Sequence, residues 1–149
     1  MASRALTIVH DHQPVVLDTG ALLALAARDQ QAAFLRRGLL RLRASVLVPI
    51  VVLPECVRGR GPRDAAVERA LRVAALLPLT ESAARHAGAL LATTGARRGG
   101  AALTIDAMVV ATAAELRGCV LLTGDPGDLG RLAADLPHVE VRDVAKPAG

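Results

Sequence analysis

At 149 residues, 52% of them apolar, the chain is long enough to bury a substantial core and far too apolar for a disordered protein, so one domain over 1–149 is expected. No stretch approaches the ~18 uninterrupted apolar residues of a membrane helix, and His10, Asp11, His12 and Pro14 break up any apolar signal-peptide core. These features point to a cytoplasmic chain with no membrane association. The formal charge of +4, carried by 17 Arg and Lys146 against 14 acids, suits a phosphate-bearing partner, while Phe34 as the lone aromatic excludes base stacking as the driving force of binding.

Short apolar strands alternate with helical segments along the chain. "PVVLD" (14–18) predicts a buried strand and "TGALLALAARD" the helix after it. "QQAAFLRRGLLRLR" (30–43) has helical periodicity with Arg on its polar face, and "SVLVP" (45–49) predicts a second strand. The segment through Glu55 reads as helical with Pro54 near its start, followed by a helix over 62–74 and a short strand "LLPL" (76–79). Thr80 opens the helix "TESAARHAGALLATTG", "ARRGG" reads as a loop, and "TIDAMVVATAAELRG" (104–118) as a helix opened near Asp106 and stopped by Gly118. Strand "CVLLT" (119–123), a short helix from Pro126 and a last strand "VEVRDV" (139–144) follow. This alternation predicts an α/β fold with a parallel sheet covered on both faces. Cys56 and Cys119 have neither disulfide nor metal spacing and are expected to be buried free thiols.

Four acids stand alone in apolar settings: Asp18, Glu55, Asp106 and Asp125. A buried carboxylate needs a partner, because losing its hydration is costly. Asp18 ends the first strand, Asp125 lies just past "CVLLT", Asp106 falls at a helix start and Glu55 follows the second strand. In an open parallel sheet these positions share the carboxyl edge, where ligands bind. Carboxylates gathered there repel one another unless a cation lies between them, and Mg²⁺ or Mn²⁺ is the hard, oxygen-seeking choice. Each acid also has a plain structural reading. Asp125 before Pro126 is a good helix cap, as Asp18 and Asp106 could be; Glu55 could pair with Arg58 one turn away. Asp128 reads as a first-turn acid with a possible water-mediated metal role, and Thr19 and Thr123 as hydroxyls that cap backbone or orient carboxylates.

In order and spacing, "VVLDTGALLAL", "VVLPECVRG", "LTIDAMVVATA" and "LLTGDPGDL" resemble the PIN domain, specifically the VapC-type toxins of VapBC toxin–antitoxin pairs. The resemblance spans about 14–144, leaving a short N-terminal extension. It implies a three-layer α/β/α sandwich around a mostly parallel five-stranded sheet. It further implies a Mg²⁺- or Mn²⁺-dependent endoribonuclease, a homodimer, and a heterotetramer or larger complex with a VapB-like antitoxin that inhibits it. Asp18, Glu55, Asp106 and Asp125 would then be catalytic and metal-binding residues, with Thr19, Thr123 and Asp128 behind them. Gly20 stands where Ser is common in the family, removing one hydroxyl from the site.

Arg58, Arg60 and Arg63 follow Glu55, and Arg97 and Arg98 lie before Asp106; both groups are candidates to grip an RNA backbone, against the plainer reading of solvated surface arginines. "DTG" also occurs in aspartic proteases, but those are β-rich and here it leads into a helix former. A receiver-type acid pocket needs a lysine, and Lys146 lies in the tail. The remaining alternative is a PIN-like module that binds RNA or protein without cutting it.

Overall fold

The computed structural model describes residues 12–94 and 100–146. Its centre is a five-stranded, wholly parallel sheet in the order β3-β2-β1-β4-β5, formed by β1 (Gln13–Leu17), β2 (Ala44–Pro49), β3 (Ala75–Leu77), β4 (Cys119–Thr123) and β5 (Val139–Asp143). The central strands carry continuous apolar runs because both of their faces are covered. Val15, Val16 and Leu17 of β1 are fully enclosed, as are Leu121 and Leu122 of β4. On one side α1 (Thr19–Ala26) packs against α2 (Gln30–Arg41), α3 (Leu53–Cys56) and α4 (Pro62–Leu71). Elsewhere α6 (Gly100–Ala114) packs against α5 (Glu81–Thr93) and α7 (Pro126–Leu132). The result is the predicted α/β/α sandwich, and no helix is long and apolar enough to cross a membrane among the described residues.

Element boundaries depart from the sequence reading where capping or pairing decides them. α1 stops at Ala26 because Asp29 caps α2, its carboxylate accepting from Ala32 N–H at 2.8 Å. α2 ends at Arg41, and Arg43, at φ +48°, turns the chain into β2. α4 ends at Leu71, after which tighter turns (Val73 N–H to Ala70 O, Ala74 N–H to Leu71 O) lead into β3. β3 itself stops at Leu77, opposite Pro49 at the end of β2.

The largest departure concerns α6. It begins at Gly100 and not near Asp106, and it ends at Ala114, before Gly118. Asp106 therefore lies in the second turn, beyond the amides that a helix cap serves. The predicted loop "ARRGG", with Arg97 and Arg98, lies outside the described residues apart from Gly100. Both cysteines are buried free thiols, as expected.

Candidate functional site

The chain moves outward from β1 to β2 and β3, then crosses back to place β4 on the other side of β1. The reversal opens a crevice at the carboxyl ends of β1 and β4, the usual ligand position in such sheets. Asp18 follows β1 and Asp125 follows β4 by one residue more. The two edges are tied together directly: Asp18 N–H donates to Leu122 O at 3.2 Å.

Asp18 is 5% exposed and caps α1, its Oδ1 accepting from Ala21 N–H at 2.8 Å. Burial pushes its carboxyl above the ordinary carboxylate range, against the opposing pull of the Thr123 hydroxyl and the Ala21 and Gly124 amides, with Asp125 adding repulsion. Thr123 is fully buried and works twice, since its Oγ1 also accepts from Asp125 N–H at 2.8 Å. Asp125 caps α7 by accepting from Asp128 N–H at 3.1 Å. Capping thus explains the positions of both Asp18 and Asp125, yet each cap engages a single oxygen, Oδ1.

Asp106 has no such explanation. Its carboxyl is pushed up to about 6, first by burial and then by repulsion from Asp18, Asp128, Glu55 and Asp125. Those four acids come from α1, α3 and α7 or their caps; three of them, Asp18, Glu55 and Asp125, are the other candidates read from the sequence. Glu55 is exposed and accepts from the Thr19 hydroxyl at 2.9 Å, while Arg58 Nη1 donates to Pro54 O at 3.2 Å. The Glu55–Arg58 pair suggested by the sequence gives way to these two contacts. Asp128 forms an ion pair with Arg131, the plain first-turn role. As they stand, no three His, Cys, Asp or Glu side chains among the described residues are arranged to hold a metal ion. The donor set is nonetheless one of hard carboxylate oxygens under mutual repulsion, chemistry that fits a small divalent cation.

Two glycines set the closeness of the crevice. A Cβ on Gly20 would meet Gly124 N at 3.3 Å, Gly124 Cα at 3.4 Å and Asp18 Oδ1 at 3.6 Å. α1 and the end of β4 approach this closely only because position 20 has no side chain. The Gly20→Ser variant is therefore expected to bring no gain from the added hydroxyl. It should cost about 1 kcal/mol by wedging α1 from Gly124, as read by melting temperature. A serine variant as stable as the parent would show that the contact relaxes freely.

The arginines divide. Arg58 and Arg60 are exposed at the turn after α3 and Arg63 in the first turn of α4, and the Cys56 thiol is raised to about 11, chiefly by burial. Arg58 is held near Glu55 by its bond to Pro54 O, while Arg63 lines a groove with Leu23, Ala27, Arg28 and Val67. A separate groove of about 840 Å³ is lined by Leu25, Leu39, Leu40 and Val73 together with Arg28, Arg36 and Arg69, and by none of the four acids. Leu40 and Val73 are 78% and 72% exposed there. The sequence reading missed this groove, and it also missed Asp64 and Gly124.

Fold and site together define an α/β protein with an acidic cluster at the switch point of a parallel sheet. The chain belongs to the PIN-domain family, whose model matches residues 15–134. No curated protein matches it. Among solved structures it is similar to DNA-bound VapBC from Salmonella typhimurium, with 21% identity and a TM-score of 0.65 over 89% of this chain and 98% of that one. It is also similar to VapBC2 from Rickettsia felis bound to a promoter DNA fragment (14% identity, TM-score 0.61, 87% of this chain and 98% of that one). A third likeness is to FitAcB from Neisseria gonorrhoeae (17%, 0.60, 87% and 97%). At these identities the likeness is one of fold.

Proposed function

We propose that the chain is a divalent-metal-dependent endoribonuclease of the VapC type, the toxin of a type II toxin–antitoxin pair. The observation that carries this reading is the placement of the acids: Asp18 directly after β1, Asp125 just after β4, and Asp106 in the second turn of α6, where capping does not explain it. Family membership and the folds of the VapBC and FitAcB chains support it. Asp18, Asp106 and Asp125 would hold Mg²⁺ or Mn²⁺, with Glu55 as a further ligand or as the base. When bound, the ion would neutralise charge on the scissile phosphate and make water more acidic.

The chain's own residues do the rest. Thr19 orients Glu55 by its hydrogen bond to Oε1, which leaves Oε2 to take a proton from the attacking water. The water oxygen bonds to phosphorus as the bond to the 3′ oxygen breaks; the departing oxygen takes a proton from solvent water and Glu55 returns its own to solvent, leaving a 5′-phosphate and a 3′-hydroxyl. Arg58 and Arg63 face the RNA backbone and hold it by phosphate contacts. Arg60 joins them, and target choice rests on RNA shape because stacking rings are lacking. The apolar groove of Leu25, Leu39, Leu40 and Val73 supports a VapB-like antitoxin as partner, one that lays an apolar face against this chain.

The test uses the purified chain. RNA should be cut with Mg²⁺ or Mn²⁺ and spared with EDTA, and the metal should stabilise the protein by about 2.7 kcal/mol at a hundred times its Kd, read as a rise in melting temperature. RNA binding with neither cleavage nor a metal-dependent melting shift would favour a non-catalytic binding module instead.

A further inference from the structure

Two carboxylates are buried among the described residues, Asp18 and Asp64, and only the first belongs to the acidic crevice. Asp64 is the third residue of α4, 7% exposed, and it points back out of the helix. Its Oδ1 and Oδ2 accept from Arg58 N–H at 3.0 and 3.1 Å, and the Gly59 and Arg60 amides also pull its carboxyl below the ordinary carboxylate range. The turn from Arg58 to Gly61 is thus wrapped around one carboxylate. It can do so because Gly59 and Gly61 take φ of +95° and +100°, a region that side chains disfavour. Gly61 brings no capping side chain to α4, so Asp64 joins the helix start to the turn before it.

Turning amides inward sends side chains outward. Arg58 and Arg60 stand exposed on the outside of the turn, and Arg58 Nη1 is fixed on Pro54 O, in the short helix that carries Glu55. The turn therefore has one defined shape, which holds the Arg58 guanidinium on the residue before Glu55 and leaves the Arg60 side chain exposed two residues further on. We infer that Asp64 is a positioning residue, which holds the Arg58–Gly61 turn so that Arg58 and Arg60 meet the phosphates of an RNA strand entering the acidic crevice. The inference rests on the RNA reading given above.

The experiment measures binding of an unstructured oligoribonucleotide across a salt series, with EDTA present so that binding is read without cleavage. Asp64→Ala should weaken binding about tenfold and flatten the salt dependence, since a protein that neutralises fewer phosphates releases fewer counterions. The Arg58→Ala/Arg60→Ala double variant should do the same, and adding Asp64→Ala to it should change nothing further, because residues acting through one another do not add. Asp64→Asn sets an NH2 donor against one of the amides that now meet a carboxylate oxygen, so it should weaken binding severalfold with a partly flattened salt slope, and it serves if the alanine variant fails to fold. A purely structural Asp64 would lower the melting temperature and leave the salt slope unchanged. An unchanged slope, or an equal loss in the arginine-free background, overturns the inference while leaving the RNA reading intact. A parent chain that binds no RNA overturns that reading, and this inference with it.

Discussion

Asp106→Asn is expected to raise the melting temperature of the metal-free protein at pH 7 and to abolish metal-dependent hydrolysis at the same time. The Asp106 carboxyl titrates near 6 in the folded chain against an ordinary 3.8, so the folded state holds its proton more tightly than the unfolded state. Below 3.8 both states are protonated and the site costs nothing. As pH rises from there through about 6, the unfolded chain ionises first and stability falls; above 6 the full penalty applies. Discounted for partial exposure, that penalty is about 1–2 kcal/mol, which asparagine removes along with the slope. Melting curves with EDTA between pH 4 and pH 8 read both effects. An asparagine variant that melts well below the parent yet still cuts RNA would make Asp106 a structural residue.

Asp18 should behave differently, because it is a cap as well as a member of the cluster. Asp18→Ala leaves the Ala21 amide and the Thr123 hydroxyl without their buried acceptor and is expected to cost about 1–3 kcal/mol. Asp18→Asn keeps the accepting oxygen, and asparagine caps helices as well as aspartate does, so its stability should stay within about 1 kcal/mol of the parent. Both should be inactive. Urea melts distinguish the two, and equal stability of the alanine variant and the parent would show that the cap contributes nothing.

The contrast shows what the sequence could and could not disclose. Asp18 and Asp125 are legible because each closes an apolar strand and opens a helix, a local pattern. Their capping roles leave room for the proposed cluster roles, since each cap bond uses one oxygen of two. The start of α6 is not legible: "GG" reads as a loop, and the packing of α6 against α5 and α7 overrides that signal. This shift is what frees Asp106 from the capping explanation. Asp64 and the Gly20–Gly124 contact were invisible for a different reason. A carboxylate that reaches back over a turn, or two backbones that touch from distant parts of the chain, leaves no periodic trace. The exposed groove escaped notice likewise, because Leu40 and Val73 look like ordinary helix residues until their neighbours are placed.

The strand order carries a consequence for how the chain comes into being. β1 is held between β2, made soon after it, and β4, made much later. Contacts between distant segments form late, after the entropy of closing a long loop has been met, and chains emerge from the ribosome amino end first. Asp18 and Glu55 are therefore synthesised well before Asp106, Thr123 and Asp125 exist to face them. A nascent or truncated chain lacking β4 holds its early acids apart from the rest, with the Asp18 amide still awaiting Leu122. A complete cluster thus arrives only after β4 and the cap that follows it have been made, and the cell making this protein meets a complete crevice only once the chain has been read through Asp125.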